Sequence, residues 1–292
     1  MELQGAFTAL ITPFRDGEVD EKALRDLVER QIAAGIDGLV PCGTTGESVT
    51  LRGDEPARVM RTVVEQARGR VPVIGGAGTN ATDKTIALAA VAREAGVDGL
   101  LLVCPYYNKP TQAGMEAHFR AVLKEVPVPT VLYNVPGRTG SDLSADTVER
   151  LTDLPEVVGI KEATGNVLRS QEIARRCGDR LAILSGDDGL TLGILAVGGT
   201  GVISVTSNVA PKEVADVCRL WREGKAAEAR KLHQRLLPLH DALFIEANPG
   251  PIKLAMAEVG LAAPEIRLPM VLPSEPSREV IRAALKQAGV AS

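Results

Sequence analysis

The chain has 292 residues, of which 45% are hydrophobic and 24% are charged, so it can bury a large core beneath a solvated surface. Its formal net charge is −4, and its 33 Lys and Arg residues are spread along the chain, which argues against nucleic acid or an anionic membrane surface as the main partner. No apolar run approaches the length of a membrane span.

The start of the chain and its cysteines indicate a cytoplasmic protein. The segment MELQGAFTALITPF carries an acidic residue where a secretory signal would be basic, and it is predicted to contain the first strand. The four cysteines form no CxxC motif and no disulfide framework, so we expect free thiols in a reducing compartment: Cys42, Cys104, Cys177 and Cys218.

A short apolar run followed by an amphipathic segment recurs eight times along the chain. The runs are residues 5–13, 37–43, 71–78, 99–107, 129–136, 157–163, 181–188 and 200–206. Each is nearly continuous in hydrophobicity, as expected of strands that are buried on both faces of a parallel sheet. The segments between them, such as 20–35 and 81–96, have apolar residues at helical spacing and end in glycine. Eight such units favour a (β/α)8 TIM barrel, a fold of the α/β class, over an open doubly wound sheet.

After residue 206 the strand pattern stops. Residues 210–247 and 249–290 are predicted to be helical, with breaks at Gly224, at Pro238 and at the Pro-Gly-Pro run that starts at residue 249. No linker or low-complexity segment precedes this part of the chain. We therefore predict a barrel over residues 1–223 and a C-terminal helical extension over residues 224–292, packed on the barrel or on a neighbouring subunit.

Polar residues collect at the ends of the predicted strands, where a parallel barrel carries its active site. The set comprises the turn 43–47, Tyr106, Tyr107, Asn108, Tyr133, Asn134, Arg138 and Lys161. Each has an ordinary structural explanation when taken alone: tyrosine at a subunit contact, glycine in a tight turn, lysine reaching out to solvent. All three tyrosines of the chain belong to the set, although packing could use phenylalanine instead. This concentration favours a functional site.

The combination of lysine, phenol and arginine suits imine chemistry. A partly desolvated lysine has more free amine with which to attack a ketone, and the cationic imine that forms can lose a carbon-bound proton to give an enamine. A phenol such as that of Tyr133 can transfer the protons. The hydroxyls of Thr44 and Thr45 in a glycine-flanked turn suit a small carboxylate, and Arg138 suits a second one.

Two other kinds of site are less consistent with the sequence. Residues 75–80, GGAGTN, look like a phosphate loop but lack both the GxGxxG spacing and the GK of a P-loop. Asp187 and Asp188 could hold a metal ion, yet the three histidines lie on helical segments without ligand spacing. We therefore expect no nucleotide and no metal.

Six motifs carry a family resemblance: GTTGES, PYYNKP, YNVPGRTG, GIKEATGN, LSGDD and GVISVTSN. In this order and over nearly the whole chain, they resemble the dihydrodipicolinate synthases, which belong to the pyruvate-dependent class I aldolases. The resemblance implies a (β/α)8 barrel, a homotetramer built from two tight dimers and no organic cofactor. It also implies condensation of pyruvate with L-aspartate 4-semialdehyde to give 4-hydroxy-tetrahydrodipicolinate, in lysine and diaminopimelate biosynthesis.

The resemblance assigns the catalytic roles. It implies that Lys161 forms the Schiff base with pyruvate and that Tyr133 is the general acid–base group. Tyr133 is then linked to Thr45 and Tyr107 in a proton relay, with Tyr107 crossing from the partner subunit. Thr44 belongs to the same catalytic group.

The resemblance also assigns the substrate-binding roles. Thr44 and Thr45 hold the pyruvate carboxylate, and the backbone at Gly186 and Ile203 lines the same pocket. Arg138 receives the carboxylate of the aldehyde. Cys42, just before the turn, has no assigned role.

Regulation is expected to differ from that of lysine-inhibited relatives. Those relatives have histidines in the segment after GTTGES and an acidic residue in the helix after the third strand. Here Gly53 and Pro56 stand at the histidine places and Lys84 at the acidic one. Asn80 and Tyr106 offer only neutral contacts. The two ammonium groups of lysine would meet a third positive charge, so we expect insensitivity to lysine.

Sister aldolases are the nearest alternative. N-acetylneuraminate lyases and 2-keto-3-deoxy sugar acid aldolases share the lysine, the tyrosine and the GxTGE turn, whereas Arg138 favours the synthase. An oxoacid sensor without turnover is a further alternative, against which the five filled catalytic positions argue.

Overall fold

A computed structural model describes residues 1–290, and eight parallel strands form its centre. They are β1 (Gly5–Ala9), β2 (Gly38–Val40), β3 (Ile74–Gly76), β4 (Gly99–Val103), β5 (Thr130–Asn134), β6 (Val157–Glu162), β7 (Ala182–Ser185) and β8 (Gly201–Ser204). Consecutive strands are neighbours, and β8 pairs with β1. A single bridge between Leu39 and Val73 joins β2 to β3 and completes the ring. The predicted strands and the (β/α)8 barrel are confirmed.

Helices surround the ring in the expected alternation. They are α1 (Glu21–Ala33), α2 (Glu55–Ala67), α3 (Thr82–Glu94), α4 (Gln112–Glu125), α5 (Pro136–Thr139), α6 (Ala145–Leu151), α7 (Val167–Cys177), α8 (Thr191–Ala196) and α9 (Pro211–Arg222). Side chains cap several of their starts: Asp20 accepts the Ala23 amide at α1, and Ser144 accepts the Thr147 amide at α6. A short hairpin of Phe14–Arg15 and Glu18–Val19, which the sequence analysis did not predict, precedes α1.

Two layers of apolar side chains hold the barrel together. One lies between strands and helices and includes Leu100, Leu132 and Ile160. The other fills the ring interior and includes Phe7 and Ile203. Because successive residues of a strand point to opposite faces, the strands contribute to both layers, which is why their sequences are apolar throughout.

The extension consists of α10 (Ala226–Ala242), α11 (Gly250–Glu258) and α12 (Glu275–Ala288). The predicted break at Gly224 is confirmed, with a φ of 77° after α9. The predicted break at Pro238 is wrong, because α10 runs through it. The predicted helix over residues 249–290 is also wrong in its middle: residues 259–274 are not α-helical. That segment contains one glycine and three prolines, which disfavour a continuous helix.

The extension packs on the barrel of its own chain. Ile252, Met256 and Ile281 form one buried cluster with Ile11 and Val205, which follow β1 and β8. This contact brings α11 to the carboxyl ends of the strands. The domain boundary after residue 223 stays a prediction. Among residues 1–290, no helix is long and apolar enough to cross a membrane.

Candidate active site

Lys161 and Tyr133 are direct neighbours at the carboxyl ends of β6 and β5. The two residues are paired in the register of the parallel strands. Both side chains are buried, with exposed fractions of 5% and 6%. The Lys161 Nζ lies 4.4 Å from the centroid of the Tyr133 ring. A lysine amine is therefore enclosed beside a phenol, the pairing that imine formation and proton transfer require.

The residues that follow Tyr133 and Lys161 in their strands are Asn134 and Glu162. Their side chains point to the opposite face of the sheet, where a hydrogen bond between them joins the two strands. Asn134 Nδ2 donates to Glu162 Oε2 at 3.2 Å and to Asp142 Oδ1 at 2.9 Å. The amide of Thr164 donates to the other Glu162 oxygen at 2.8 Å. Burial raises the pKa of Glu162 despite these hydrogen bonds. Asn134 was predicted among the polar residues of the site without a specific role, and Glu162 was not predicted, although strand alternation places both behind the site.

The turn that carries Thr44 and Thr45 is tightly wound. Amides of Gly46 and Glu47 donate to the carbonyls of Gly43 and Thr44, both at 3.1 Å. A Cβ at Gly46 would lie 3.0 Å from the Leu10 carbonyl oxygen, so a side chain has almost no room there. Close packing against Leu10, which follows β1, favours glycine at this position, whereas the φ of Gly46 is not in the left-handed region.

Asn248, in the segment before α11, contacts both this turn and Arg138. Its side-chain Nδ2 donates to Thr45 Oγ1 at 3.0 Å, and its backbone carbonyl oxygen accepts a hydrogen bond from Arg138 Nη2 at 3.2 Å. Arg138 lies on α5, which follows β5. Sequence reasoning missed Asn248 because the adjoining Pro-Gly-Pro run suggested only a helix break.

A cavity of about 410 Å³ opens beside these residues. It is lined by most of the predicted site residues: Thr44, Thr45, Tyr133, Arg138, Lys161 and Gly186. A Cβ on Gly186 would lie 3.2 Å from Lys161 Cε and 2.6 Å from Ala163 Cβ, so a larger residue would crowd the lysine. Other polar or aromatic residues on its wall were not predicted as part of this site: Asp187, His240, Asp241, Phe244 and Asn248.

Two predicted site residues do not line this cavity. Ile203 is buried in the ring interior, on β8. Tyr107 is 87% exposed and lines a second cavity of about 720 Å³, which it shares with Thr44 and Arg138. Within one chain, Tyr107 thus lines an adjoining cavity and not the one that contains Lys161. The proposed roles of the site residues stay predictions.

The possible metal site at Asp187 and Asp188 and the possible phosphate loop at residues 75–80 have structural explanations. Asp188 is buried and accepts hydrogen bonds from the amides of Val205 and Thr206, at 2.8 and 3.1 Å. Among residues 1–290, no group of three or more His, Cys, Asp or Glu side chains is arranged to hold a metal ion. The glycines of GGAGTN serve packing, since a Cβ on Gly76 would lie 2.0 Å from the Cys42 carbonyl oxygen.

Cys42 and the three residues expected to bear on lysine regulation do not line the cavity that contains Lys161. Cys42 is buried, and burial raises the pKa of its thiol to about 12, so it is a neutral thiol at physiological pH. Lys84 is exposed in the first turn of α3, Pro56 lies at the start of α2, and Gly53 is exposed with a φ of 47°. The expected insensitivity to lysine stays a prediction.

Comparisons with known proteins show the family to which this chain is similar. The family model described as the dihydrodipicolinate synthetase family matches residues 2–288. The 4-hydroxy-tetrahydrodipicolinate synthase of Nitratidesulfovibrio vulgaris is 52% identical over 291 residues, 99% of this chain and 100% of the relative.

Two solved structures agree with that match. The 4-hydroxy-tetrahydrodipicolinate synthase of Methylacidiphilum fumariolicum SolV is 45% identical with a TM-score of 0.97, covering 99% of this chain and 96% of the other. A structure described as the first monomeric dihydrodipicolinate synthase variant is 40% identical with a TM-score of 0.97, covering 98% and 97%. With a buried lysine beside a tyrosine in a (β/α)8 barrel, and a family match that spans almost its whole length, the chain belongs to the dihydrodipicolinate synthetase family.

Proposed function

We propose that this chain condenses pyruvate with L-aspartate 4-semialdehyde to form 4-hydroxy-tetrahydrodipicolinate, the reaction that gives its curated relatives their name. The observation that carries the proposal is the buried Lys161 amine beside the Tyr133 ring, in one cavity with Arg138. The cavity of about 410 Å³ is large enough for two small oxoacids. The product serves lysine and diaminopimelate biosynthesis.

The first half of the reaction activates pyruvate. The free amine of Lys161 attacks the ketone carbon, and the adduct loses water to leave a positively charged imine. Loss of a proton from the methyl group converts this imine to a neutral enamine, whose terminal carbon is nucleophilic. Thr44 and Thr45 hold the pyruvate carboxylate, and Tyr133 exchanges the protons with Tyr107 in the relay.

The second half forms the new carbon–carbon bond and releases the product. The enamine carbon attacks the aldehyde carbon, and the resulting alkoxide takes a proton from Tyr133. The amine of the second substrate then attacks the imine carbon and displaces Lys161, which closes the product ring and regenerates the enzyme. Arg138 pairs with the carboxylate of the aldehyde throughout. No step of this sequence needs an organic cofactor or a metal ion.

The enzyme is further proposed to act in the cytoplasm as a homotetramer of two tight dimers. The exposure of Tyr107 and Val49, at 87% and 78%, supports a subunit contact at this edge of the barrel. There, Tyr107 of one subunit completes the relay of its neighbour. An isolated chain would leave the relay without its second phenol.

Borohydride trapping tests the nucleophile. Pyruvate with borohydride should attach a three-carbon group to Lys161, as peptide mapping by mass spectrometry would detect, and Lys161→Ala should abolish the label. Lys253 of the native enzyme is the internal control and should stay unlabelled, because it is also buried but does not line the cavity. A label on another lysine, or none, would overturn the proposal.

The substitution Arg138→Ala distinguishes binding of the aldehyde from binding of pyruvate. Trapping of pyruvate should persist, whereas condensation should lose about 2–5 kcal/mol of transition-state stabilisation because the aldehyde carboxylate is left unpaired. N-acetylneuraminate and 2-keto-3-deoxygluconate serve as comparison substrates. Cleavage of either without condensation activity would favour a sister aldolase.

A further inference from the structure

Asn248 is the residue through which the C-terminal extension contacts both substrate-binding groups. It is only 4% exposed, and it lines the cavity that contains Lys161. Its side-chain amide donates to Thr45 Oγ1 at 3.0 Å, and its backbone carbonyl oxygen accepts a hydrogen bond from Arg138 at 3.2 Å. One residue is therefore bonded to the group proposed for the pyruvate carboxylate and to the group proposed for the aldehyde carboxylate.

The direction of the bond to Thr45 has a chemical consequence. A threonine hydroxyl has one proton to donate and lone pairs to accept with. In the structure the Nδ2 of Asn248 faces the Thr45 hydroxyl, while Asn248 Oδ1 is buried without a hydrogen-bond partner. With the amide in this orientation its N–H fills the accepting side, so the Thr45 proton is left to be donated elsewhere. Thr45 lines the cavity, where the acceptor would be an anionic ligand oxygen. Asn248 thus orients the Thr45 hydroxyl as a hydrogen-bond donor. Binding of a carboxylate requires this direction, because a carboxylate only accepts hydrogen bonds.

A buried charge cluster keeps the two partners of this bond in place. Lys253, one turn into α11 and 1% exposed, forms an ion pair with Glu47 at the end of the turn. The second Glu47 oxygen accepts the backbone amide of Arg267 at 3.0 Å. Both cations pack on Phe14, with Lys253 Nζ and Arg267 Cζ each 4.1 Å from the ring centroid.

The cluster makes the turn and the start of α11 one rigid body. Moving the start of α11 away from the turn would require the buried Lys253 and Glu47 to separate, which leaves each charge unpaired in the interior. The hydrogen bond to Thr45 is therefore preorganised before a ligand arrives.

We infer that Asn248 is a positioning residue, which orients the Thr45 hydroxyl to donate to the carboxylate of the first substrate. The inference rests on the proposed function, because it takes that substrate to be pyruvate. Asn248 acts through Thr45 and not on the reacting atoms. Its loss should therefore weaken capture of pyruvate and leave the chemistry of Lys161 intact.

A double-mutant cycle between Asn248 and Thr45 tests this. The readout is the pyruvate concentration that gives half-maximal borohydride trapping on Lys161 in the full-length protein. Asn248→Leu should raise this concentration roughly tenfold, the scale of one hydrogen bond to a charged group. In a Thr45→Val background, the same change should have less than about a twofold effect, since the oriented hydroxyl is already gone. Equal effects in both backgrounds would show a general structural role and overturn the inference.

Asn248→Asp is the second variant, in case the apolar one does not fold. An ionised carboxylate can only accept from Thr45, which reverses the bond, while a protonated one can donate again. The pyruvate requirement of Asn248→Asp relative to the native enzyme should therefore fall as the pH is lowered. A constant ratio would count against the inference. If the native enzyme itself is not labelled on Lys161, the proposed function fails instead.

Discussion

At the scale of single residues, the ion pair between Glu55 and Arg267 joins α2 to the segment between α11 and α12. Both side chains are buried, and the two guanidinium nitrogens donate to the two carboxylate oxygens at 2.6 and 2.7 Å. These hydrogen bonds lower the pKa of Glu55 below its usual value of 4.5. A group with a lowered folded-state pKa stabilises the fold in its ionised form.

Glu55→Gln should lower the free energy of unfolding by about 3 kcal/mol at neutral pH, because it leaves the buried Arg267 without its counter-ion. The difference should be fully present above about pH 4.5, the unfolded-state value, and shrink as the pH falls through the lower folded-state value. Urea unfolding of both proteins from neutral to acid pH measures it.

The exposed pair of Arg25 and Glu65 is the matched control. Glu65→Gln should change the free energy of unfolding by less than about 1 kcal/mol at any pH, since solvent screens that pair. A Glu55→Gln deficit that stayed constant into acid would mean that side-chain packing, not charge, is what Glu55 contributes.

At the scale of elements, α10 is unusual in continuing through a proline. Pro238 lies inside the helix and cannot donate to the Gln234 carbonyl. Leu236, Leu239 and Leu243 around it are completely buried. Burial of such side chains contributes about 1.5–3 kcal/mol each, which outweighs the cost of about 3 kcal/mol for an interior proline.

Pro238→Ala should therefore stabilise the protein, because it restores the missing hydrogen bond without disturbing the packed face. The gain is reduced by the greater entropy of the unfolded chain, which leaves a net of about 1–2 kcal/mol and a rise in Tm of a few degrees. Scanning calorimetry measures it.

Pro211→Ala is the control for this change. Pro211 is at the first position of α9, where its missing N–H has no helical partner to lose. This substitution should not raise the Tm. A lower Tm for Pro238→Ala would show that the proline ring itself is needed for packing.

At the scale of the whole molecule, the exposure of Tyr107 bears on assembly. If Tyr107 acts in the site of a neighbouring chain, Lys161→Ala and Tyr107→Phe affect the same site of a mixed dimer. One site then carries both changes and the other carries neither. Random pairing should restore about a quarter of the native sites after subunit exchange.

The measurement is condensation activity after the two variants are mixed under exchanging conditions, with the sedimentation coefficient followed in parallel. Each variant alone, put through the same exchange, is the control. Activity that stays at the sum of the two separate variants would mean that Tyr107 serves its own chain or no site. A sedimentation coefficient of a single chain would exclude the tetramer directly.

Much of the architecture was determined by the sequence itself. Short continuous apolar runs and helical periodicity are local properties, and local hydrophobicity decides which faces are buried. The eight strands were therefore predictable, and with them the end of the barrel where Tyr133 and Lys161 meet, because parallel strands bring their carboxyl ends to one edge. The identity of the side chains at those ends indicated the chemistry.

Tertiary structure decided what connects residues far apart in the chain. Asn248 and Thr45 are separated by 203 positions, and Arg267 and Glu55 by 212. No local pattern marks such a pair, since a buried polar residue looks like a solvated one until its partner is known. Likewise, only packing of the extension on the barrel determined that α10 continues through Pro238. Local preference acts within a few residues, whereas burial energy comes from contacts that the folded chain alone creates.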